Sequence, residues 1–425
     1  MLTVGSKAKD AVRQRGRTPA EMPPRQAGFS PGININPDHD DDGWCVPEPV
    51  TLGCGTSIQL YKDGEALHAA FTAIEAAKRR VLVEMYIFAD DATGQAFADL
   101  LARKSRQGVR VLCVYDAFAS RRWAGLGPET TALRTMRDAG VRLEAFHPVR
   151  PWECRFAWHP FNRNHRKLFV VDDAVAGMGG LNIGTEYAGA WIVSDAKGEF
   201  WRDNGVQVTG PGVRLFVNAF TQTWHYVQRG GRLRKLAYAE HLNDDADLGV
   251  LASAPTVSSE FRPMITKLLC GAQRSITLTM AYFAPDDPMV DALCDRARAG
   301  VRVRLMFPGV SDVAMVRIAG RAFYDRLLEA GCEVYERQHA VLHAKTLCID
   351  GRTTVIGSAN LDYRSIELNC ELSAIVRNAE FGGQIEDLFD NDVRYARRIT
   401  KKEWRRVHAW DRFVMWAVSR ARYVL

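Results

Sequence analysis

The chain has no run of about 18 apolar residues, the length a helix needs to span a bilayer, so a spanning helix is not expected. Its first stretch, MLTVGSKAKDAVRQRGRTP, lacks the apolar core of a signal peptide and carries Lys and Arg throughout. No CxxC pair occurs, and the nine cysteines, an odd number, stand singly. These absences argue against a disulfide framework or a zinc cluster, and for reduced, mostly buried thiols. The expectation is a cytosolic protein, or one held on a membrane from its cytosolic side.

With 425 residues, 47% of them hydrophobic, the chain is long enough for two ordinary domains, each with its own core. The formal charge of +6 is unevenly placed. From Val393 to Leu425 ten Lys or Arg stand against two acidic residues, so the remainder is slightly acidic. Residues 1–49 are rich in Pro, Gly and charge without a sustained period, and read as a poorly ordered arm. Its acidic cluster, NPDHDDD from Asn36 to Asp42, lacks the spacing and distal Glu of a calcium loop and reads as a solvated linker.

Beyond the arm the chain repeats itself. AIEAAKRRVLVEMYIFADD (Ala73 to Asp91) resembles LLCGAQRSITLTMAYFAPDD (Leu268 to Asp287), each the end of a helix followed by a buried strand. LLARKSRQGVRVLCVYD resembles ALCDRARAGVRVRLMFPG, and LRTMRDAGVRLEAF resembles YDRLLEAGCEVYE, in the same order. Strands alternating with helices that end at Gly predict an α/β fold: a duplicated domain, each half a mixed sheet flanked by helices. The predicted halves are residues 50–243 and 244–395, followed by a basic amphipathic helix over residues 396–425.

Each half then carries the pattern H-x-K-x4-D: His165, Lys167 and Asp172 in RNHRKLFVVDD, and His343, Lys345 and Asp350 in LHAKTLCIDG, with the histidines 178 residues apart. Chance gives this pattern in roughly one chain in forty of such length, so two copies at equivalent places signal a constraint. Asp350-Gly351 before RTTVIG is a two-residue hairpin signal. Such a turn sets Ile349 opposite Arg352 and Ser358 opposite His343; a turn at Asp172-Asp173 sets Gly180 opposite His165. His343, Lys345, Ser358 and Asn360 then share one face, as do His165, Lys167, Gly180 and Asn182. Asp172 and Asp350, though part of the motifs, fall at the turns on the other face, which assigns them mainly structural roles. A later carboxylate in each half, Asp203 before NGVQVTG and Glu371 before LSAIV, can accept a hydrogen bond from one histidine nitrogen and leave the other free.

Two lysines and two Asn amides are donors suited to the nonbridging oxygens of a phosphodiester. Of two histidines, one can attack phosphorus while the other protonates the departing alkoxide and deprotonates the incoming alcohol. Neither a metal nor another cofactor is expected; a Lys two residues from each His would set a cation beside a bound zinc.

HRKLFVVD with GGLN, and HAKTLCID with GSAN, resemble the two HKD motifs of the phospholipase D superfamily. The flanks RNHRKLFVVDD…GGLNIGTEY, WRDNGVQVTGPGV and IGSANLDYRSIELNCEL resemble its bacterial cardiolipin synthase branch. The resemblance implies a pseudo-twofold pair of domains with the active site between them. It implies catalytic His165, Lys167, Asp172, His343, Lys345 and Asp350, and a phosphatidyl-histidine intermediate formed from phosphatidylglycerol, with His165 as nucleophile and His343 as acid and base. Asn182, Ser358 and Asn360 are the expected substrate contacts. Ser358 stands where the first half has Gly180, so a single hydroxyl is expected to reach the phosphoryl group.

The tail ITKKEWRRVHAWDRFVMWAVSRARYVL spaces Trp404, Val407, Trp410, Val414, Ala417, Ala421 and Val424 by three and four, with Arg between them. This suits either an anionic membrane surface or the protein's own core. The expected partners are phospholipid substrates and an anionic membrane surface, at the cytoplasmic side of the cell membrane, and not nucleic acid, since the acidic bulk outside the tail is a poor match for a duplex. A lipid hydrolase that uses water as acceptor remains the nearest alternative, and a nucleic-acid phosphodiesterase a more distant one.

Overall fold

The computed structural model describes residues 43–122, 124–154, 158–194, 200–231, 246–254 and 260–421. The expected arm up to Asp42 and the expected junction at 243/244 lie outside the described residues.

The first half forms an eight-stranded sheet from β1 (Val50–Thr51), β2 (Ser57–Lys62), β3 (Arg80–Met85), β4 (Arg110–Asp116), β5 (Arg142–Phe146), β6 (Leu168–Val171), β7 (Val175–Gly179) and β8 (Asn204–Thr209), in the order β1-β2-β8-β7-β6-β3-β4-β5. The second half uses β9 (Leu248–Ser253), β10 (Ser275–Met280), β11 (Arg302–Val310), β12 (Glu333–Val341), β13 (Lys345–Ile349), β14 (Thr353–Gly357), β15 (Glu371–Arg377) and β16 (Ala396–Ile399), in the order β9-β15-β14-β13-β10-β11-β12-β16. Without the edge strands β1 and β16 the two orders coincide, which makes the internal repeat a duplicated fold. In both sheets the three strands joined by helices run parallel and the rest antiparallel.

The repeated residues mark equivalent joints. Asp91 caps the helix Ala92–Arg106 by accepting from Gly94 N–H at 2.8 Å, and Asp286 caps Asp287–Arg298 by accepting from Met289 N–H at 3.3 Å. Both helices stop at a glycine with φ +89°, Gly108 and Gly300, where the left-handed backbone turns the chain into the next strand. β4, which follows Gly108, is apolar on both faces because helices cover it on each side, whereas β11 after Gly300 carries the buried Arg304, paired with Glu386 and Asp390.

The two sheets face each other across one shared core. Val170 and Val208 of the first half lie in the same apolar cluster as Ile356 and Leu372 of the second. The helices Val213–Gln228 and Ala379–Val393 fill the space between, burying Phe216, Phe220, Phe381 and Ile385. Truncating one such Phe to Ala costs about 3–5 kcal/mol. Separate clusters cover the outer face of each sheet. Two arginines among the largest fully buried side chains cross the junction. Arg202 pairs with Asp392, both its bonds at 2.8 Å, and Arg166 reaches the carbonyls of Glu371 and Ser253, each at 3.0 Å.

Three expectations need correction. The motif hairpins are out of register by one residue: Ile349 pairs with Thr353 and Val171 with Val175. The tight turn exists, since Arg352 N–H reaches Ile349 O at 3.0 Å and Asp350 and Gly351 have φ of 56° and 62°. Arg352 is then an extra residue between the turn and the first β13–β14 pair, and its carbonyl accepts from Asn378 N–H at 2.9 Å. The arm also ends earlier than residue 49, because Trp44 and Val46 are buried and Trp44 Nε1 donates to Glu65 at 3.3 Å. Finally, the tail is not one helix: Ala396–Ile399 adds to the sheet edge beside β12. Thr400 and Glu403 then form a capping box that starts the short helix Lys401–Trp404, and a second helix spans Ala409–Arg420. Trp404 enters the outer core, whereas Trp410, counted in the same apolar stripe, is 69% exposed. No helix among the described residues is long and apolar enough to cross a membrane. The nine cysteines are free, five of them buried.

Candidate active site

Each motif histidine sits just before its strand, on a segment tied by backbone hydrogen bonds to the opposite half. Cys370 N–H donates to Arg163 O at 2.8 Å and His165 N–H to Cys370 O at 2.9 Å. In the mirrored arrangement Arg202 N–H donates to Val341 O at 2.8 Å and His343 N–H to Arg202 O at 2.7 Å. Residues 370 and 202 immediately precede the two carboxylates, so these bridges set the carboxylate of one half against the histidine of the other. His165 Nδ1 lies 3.0 Å from both oxygens of Glu371, and His343 Nδ1 lies 2.6 Å from Asp203 Oδ2.

A carboxylate only accepts, so each Nδ1 carries the proton and each Nε2 is left with its lone pair. Burial holds His165 down at about 4, and Lys167 and Lys345 push the same way against the pull of Glu371. Burial, then Lys345 and Lys167, keeps His343 well below its ordinary value. Near neutral pH both rings are neutral. Burial raises Asp203 to about 6 although Lys345 opposes it. Glu371 is also pushed up by burial, but His165, Lys167 and Ser358 outweigh that and leave it below its usual value.

The lysines are equally symmetric. Lys167 Nζ donates to His165 O at 2.7 Å and Lys345 Nζ to His343 O, which leaves further N–H groups on each ammonium. Burial lowers Lys167 well below its usual value and Lys345 to about 8. Asn182 Oδ1 accepts from Ile87 N–H at 3.2 Å and Asn360 Oδ1 from Tyr282 N–H at 3.3 Å. These contacts fall at equivalent places after β3 and β10, so both amides are fixed by the strand beside them.

The structure does not bring every expected residue to the cleft. The Ser358 hydroxyl donates to Glu371 Oε2 at 2.5 Å and accepts from Leu372 N–H at 3.0 Å. Its one proton goes to the carboxylate, which makes it a partner of Glu371. The asymmetry with Gly180 follows: a Cβ there would lie 2.2 Å from Asp203 Oδ1, so the shorter Asp carboxylate fills the space that Ser358 occupies beside Glu371. Asp172 and Asp350 stand at the far ends of β6 and β13. The Asp172 carboxylate accepts from the N–H groups of Lys78, Arg79 and Arg80, and Asp350 from those of Gln273, Arg274 and Ser275, all between 2.7 and 3.1 Å.

Sequence reasoning missed several neighbours. The Ser365 hydroxyl donates to Glu371 Oε1 at 2.8 Å, and Tyr187, at the equivalent place five residues after its Asn, accepts from Asn182 at 2.8 Å. That shared offset was a readable signal. The rings were not readable: Tyr86 meets His165 edge-on at 4.8 Å and supports Lys167 Nζ at 5.0 Å from its centroid. Tyr187 and Trp201 lie 5.4 Å from His343, while Tyr282, whose hydroxyl donates to Asp312 at 2.6 Å, closes its other side. Among the described residues no group of three His, Cys, Asp or Glu is arranged to hold a metal ion.

Known proteins resemble this chain in sequence and in fold. The sequence profile of the family described as "Cardiolipin synthase, PLD-like domain" matches residues 71–190 and 265–393, one segment in each half. Cardiolipin synthase A of Pseudomonas entomophila (strain L48) is 34% identical over 368 residues, 85% of this chain and 74% of its own. Cardiolipin synthase of Geobacillus sp. (strain WCH70) is 33% identical over 82% of this chain and 68% of its own. Among solved structures, phosphatidylserine synthase of Haemophilus influenzae Rd KW20 matches in fold, with a TM-score of 0.68 over 87% of this chain and 95% of its own at 14% identity. Matched in both halves and more than 30% identical to relatives over most of its length, the chain belongs to the cardiolipin synthase family of phospholipase D-like proteins.

Proposed function

We propose that the protein is a phosphatidyltransferase that makes cardiolipin from two molecules of phosphatidylglycerol. The observation that carries this is the crossed pair of contacts, Glu371 on His165 and Asp203 on His343, which leaves two neutral imidazoles with free Nε2 atoms beside two buried lysines. His165 Nε2 attacks phosphorus, and the P–O bond to the glycerol head group breaks. The anionic phosphodiester draws a proton from solvent onto His343 Nε2 as it binds, and His343 gives that proton to the leaving alkoxide, so glycerol departs and phosphatidyl-His165 remains. The hydroxyl of a second phosphatidylglycerol then loses its proton to His343 and attacks the same phosphorus, releasing His165 and forming cardiolipin. One phosphodiester replaces another, so no nucleotide is consumed.

Lys167, Lys345, Asn182 and Asn360 are assigned to the nonbridging oxygens, and Asp203 and Glu371 to orienting the rings. Asp172 and Asp350 are assigned to the scaffold. His165 is taken as the nucleophile because Glu371, held by Ser358 and Ser365, is the more firmly fixed carboxylate, and in-line attack needs a fixed ring. The substrate's acyl chains resist leaving the bilayer by about 0.8 kcal/mol per CH₂, so the reading includes peripheral attachment to a membrane. The nine free cysteines support its cytoplasmic side.

Purified protein incubated with labelled phosphatidylglycerol vesicles is expected to give cardiolipin and free glycerol. Phosphatidic acid as the main product would replace the transferase reading with a hydrolase. Label trapped on the wild type but lost in His165→Ala supports the nucleophile; label retained at high level in His165→Ala moves that role to His343.

A further inference from the structure

The large apolar side chains left exposed among the described residues fall in only three segments: 118–161, 310–315 and 410–416. Elsewhere such side chains are covered, so their grouping calls for a physical reason.

The first two segments follow the C-terminal ends of β4, β5 and β11, the ends at which the motif histidines are approached. Asp116, closing β4, accepts from Asn164 N–H at 2.9 Å beside His165. After β5, His147 Nδ1 meets Asn162 O at 2.9 Å. From this border Trp152 and Phe161 project, 78% and 73% exposed. In the second half Asp312 holds Tyr282 next to His343, and Val310, Val313 and Met315 flank it as exposed residues. The third segment joins the second, because the helix Ala409–Arg420 packs on the helix Ala314–Arg321, whose first turn carries Met315. It buries Met415 and Ser419 and turns Trp410, Phe413 and Trp416 outward. Beneath it a cavity of about 370 Å³ is lined by four arginines: Arg321, Arg326 and Arg412 pair with Glu336, with Asp287 and Asp291, and with Asp325, while Arg420 lies over the Trp416 ring.

We propose that these three segments form one docking surface for an anionic phospholipid bilayer, which seats the mouth of the cleft on the membrane with the helix Ala409–Arg420 as its anchor. Trp and Phe interleaved with Arg match a lipid interface, where rings enter the acyl boundary and guanidinium groups meet phosphates. The ten Lys and Arg against two acidic residues from Val393 to Leu425 give the tail the charge that an anionic surface attracts. This inference rests on the phosphatidyltransferase reading, which requires the cleft to receive lipid head groups.

Removing the tail is an unsuitable test, because Ala396–Ile399 belongs to the sheet and Trp404 to the core. The exposed rings can be changed alone, in a triple variant W410A/F413A/W416A and a double variant W152A/F161A, with thermal melting as the check on folding. Wild type is expected to float with phosphatidylcholine vesicles containing phosphatidylglycerol, and poorly with phosphatidylcholine alone. Each variant is expected to lose roughly tenfold or more of that binding, and to lose vesicle turnover in parallel, while turning over monomeric short-chain phosphatidylglycerol at the wild-type rate. Equal flotation of wild type and variants overturns the docking surface. So does equal loss of monomeric and vesicle turnover, which would place the rings in the fold or the chemistry, and so does a dimer in sedimentation that the substitutions dissociate without any flotation. Loss of flotation in variants when even wild type fails to turn over the monomeric lipid sinks the phosphatidyltransferase reading and leaves the docking surface standing.

Discussion

Asp203 of the first half receives its hydrogen bond from His343 of the second, at 2.6 Å, and Glu371 of the second receives one from His165 of the first. Neither half contains a complete histidine-carboxylate pair of its own.

Replacing either carboxylate by its amide removes the acceptor that fixes the ring and its tautomer. Glu371→Gln and Asp203→Asn are each expected to lower kcat by roughly 10²-fold or more, with a small change in KM. Steady-state kinetics on phosphatidylglycerol in mixed micelles reads both, and a loss confined to KM would contradict the orienting role.

Gly180→Ala would set a Cβ 2.2 Å from Asp203 Oδ1. The expected result is a loss of about 1–3 kcal/mol by denaturant melting, together with a kcat defect like that of Asp203→Asn. Ser358→Ala takes one donor from Glu371 and is expected to cost about 1–3 kcal/mol, with weaker activity and not its abolition. Complete loss of activity in soluble, folded Ser358→Ala would restore the serine to the phosphoryl group.

Asp350 and Asp172 each gather backbone N–H groups at a turn. Asp350→Ala is expected to cost about 1–3 kcal/mol of stability while the protein that folds keeps its kcat, unlike His343→Ala, which should be inactive. Both carboxylates are held below their usual 3.8: burial opposes the shift, and the backbone N–H groups produce it. Their depressed values mean this contribution is complete above the unfolded value and fades as acid approaches the folded one. Wild type should therefore lose stability below about pH 4 more steeply than Asp350→Ala in melts followed by circular dichroism.

The neutral imidazoles and Lys345 set the expected pH profile. His165, at about 4, becomes protonated and inert only in strong acid, and Lys345, at about 8, loses its charge on the alkaline side. The kcat/KM profile of the free enzyme is expected to fall in strong acid as His165 is protonated, and to fall toward alkaline pH as Lys345 loses its charge and the proton that His343 takes up becomes scarce. An acid limb at the ordinary histidine value would mean that the rings are more hydrated than their burial implies.

Much of this was legible without coordinates. The 178-residue repeat, the H-x-K pairs and the Asp and Gly that bound the repeated helices are local signals: caps, turns and strand period act over a few residues, and duplication wrote each one twice. The same locality made Asp172 and Asp350 readable as turn residues. What the sequence could not set was register and pairing across the junction. Both motif hairpins carry one residue more than a tight two-residue turn implies, and the partner of each histidine depends on backbone bridges between residues more than 130 apart. The commitment of Ser358 to Glu371 and the outward rings of the last helix were decided the same way, by what packed beside them. Sequence pattern determined which side chains the protein has for phosphoryl chemistry and the order in which they come. Only the closing of two sheets on a shared core decided which of them meet, because hydrogen bonds and packing act through space at a few ångströms and take no account of position along the chain.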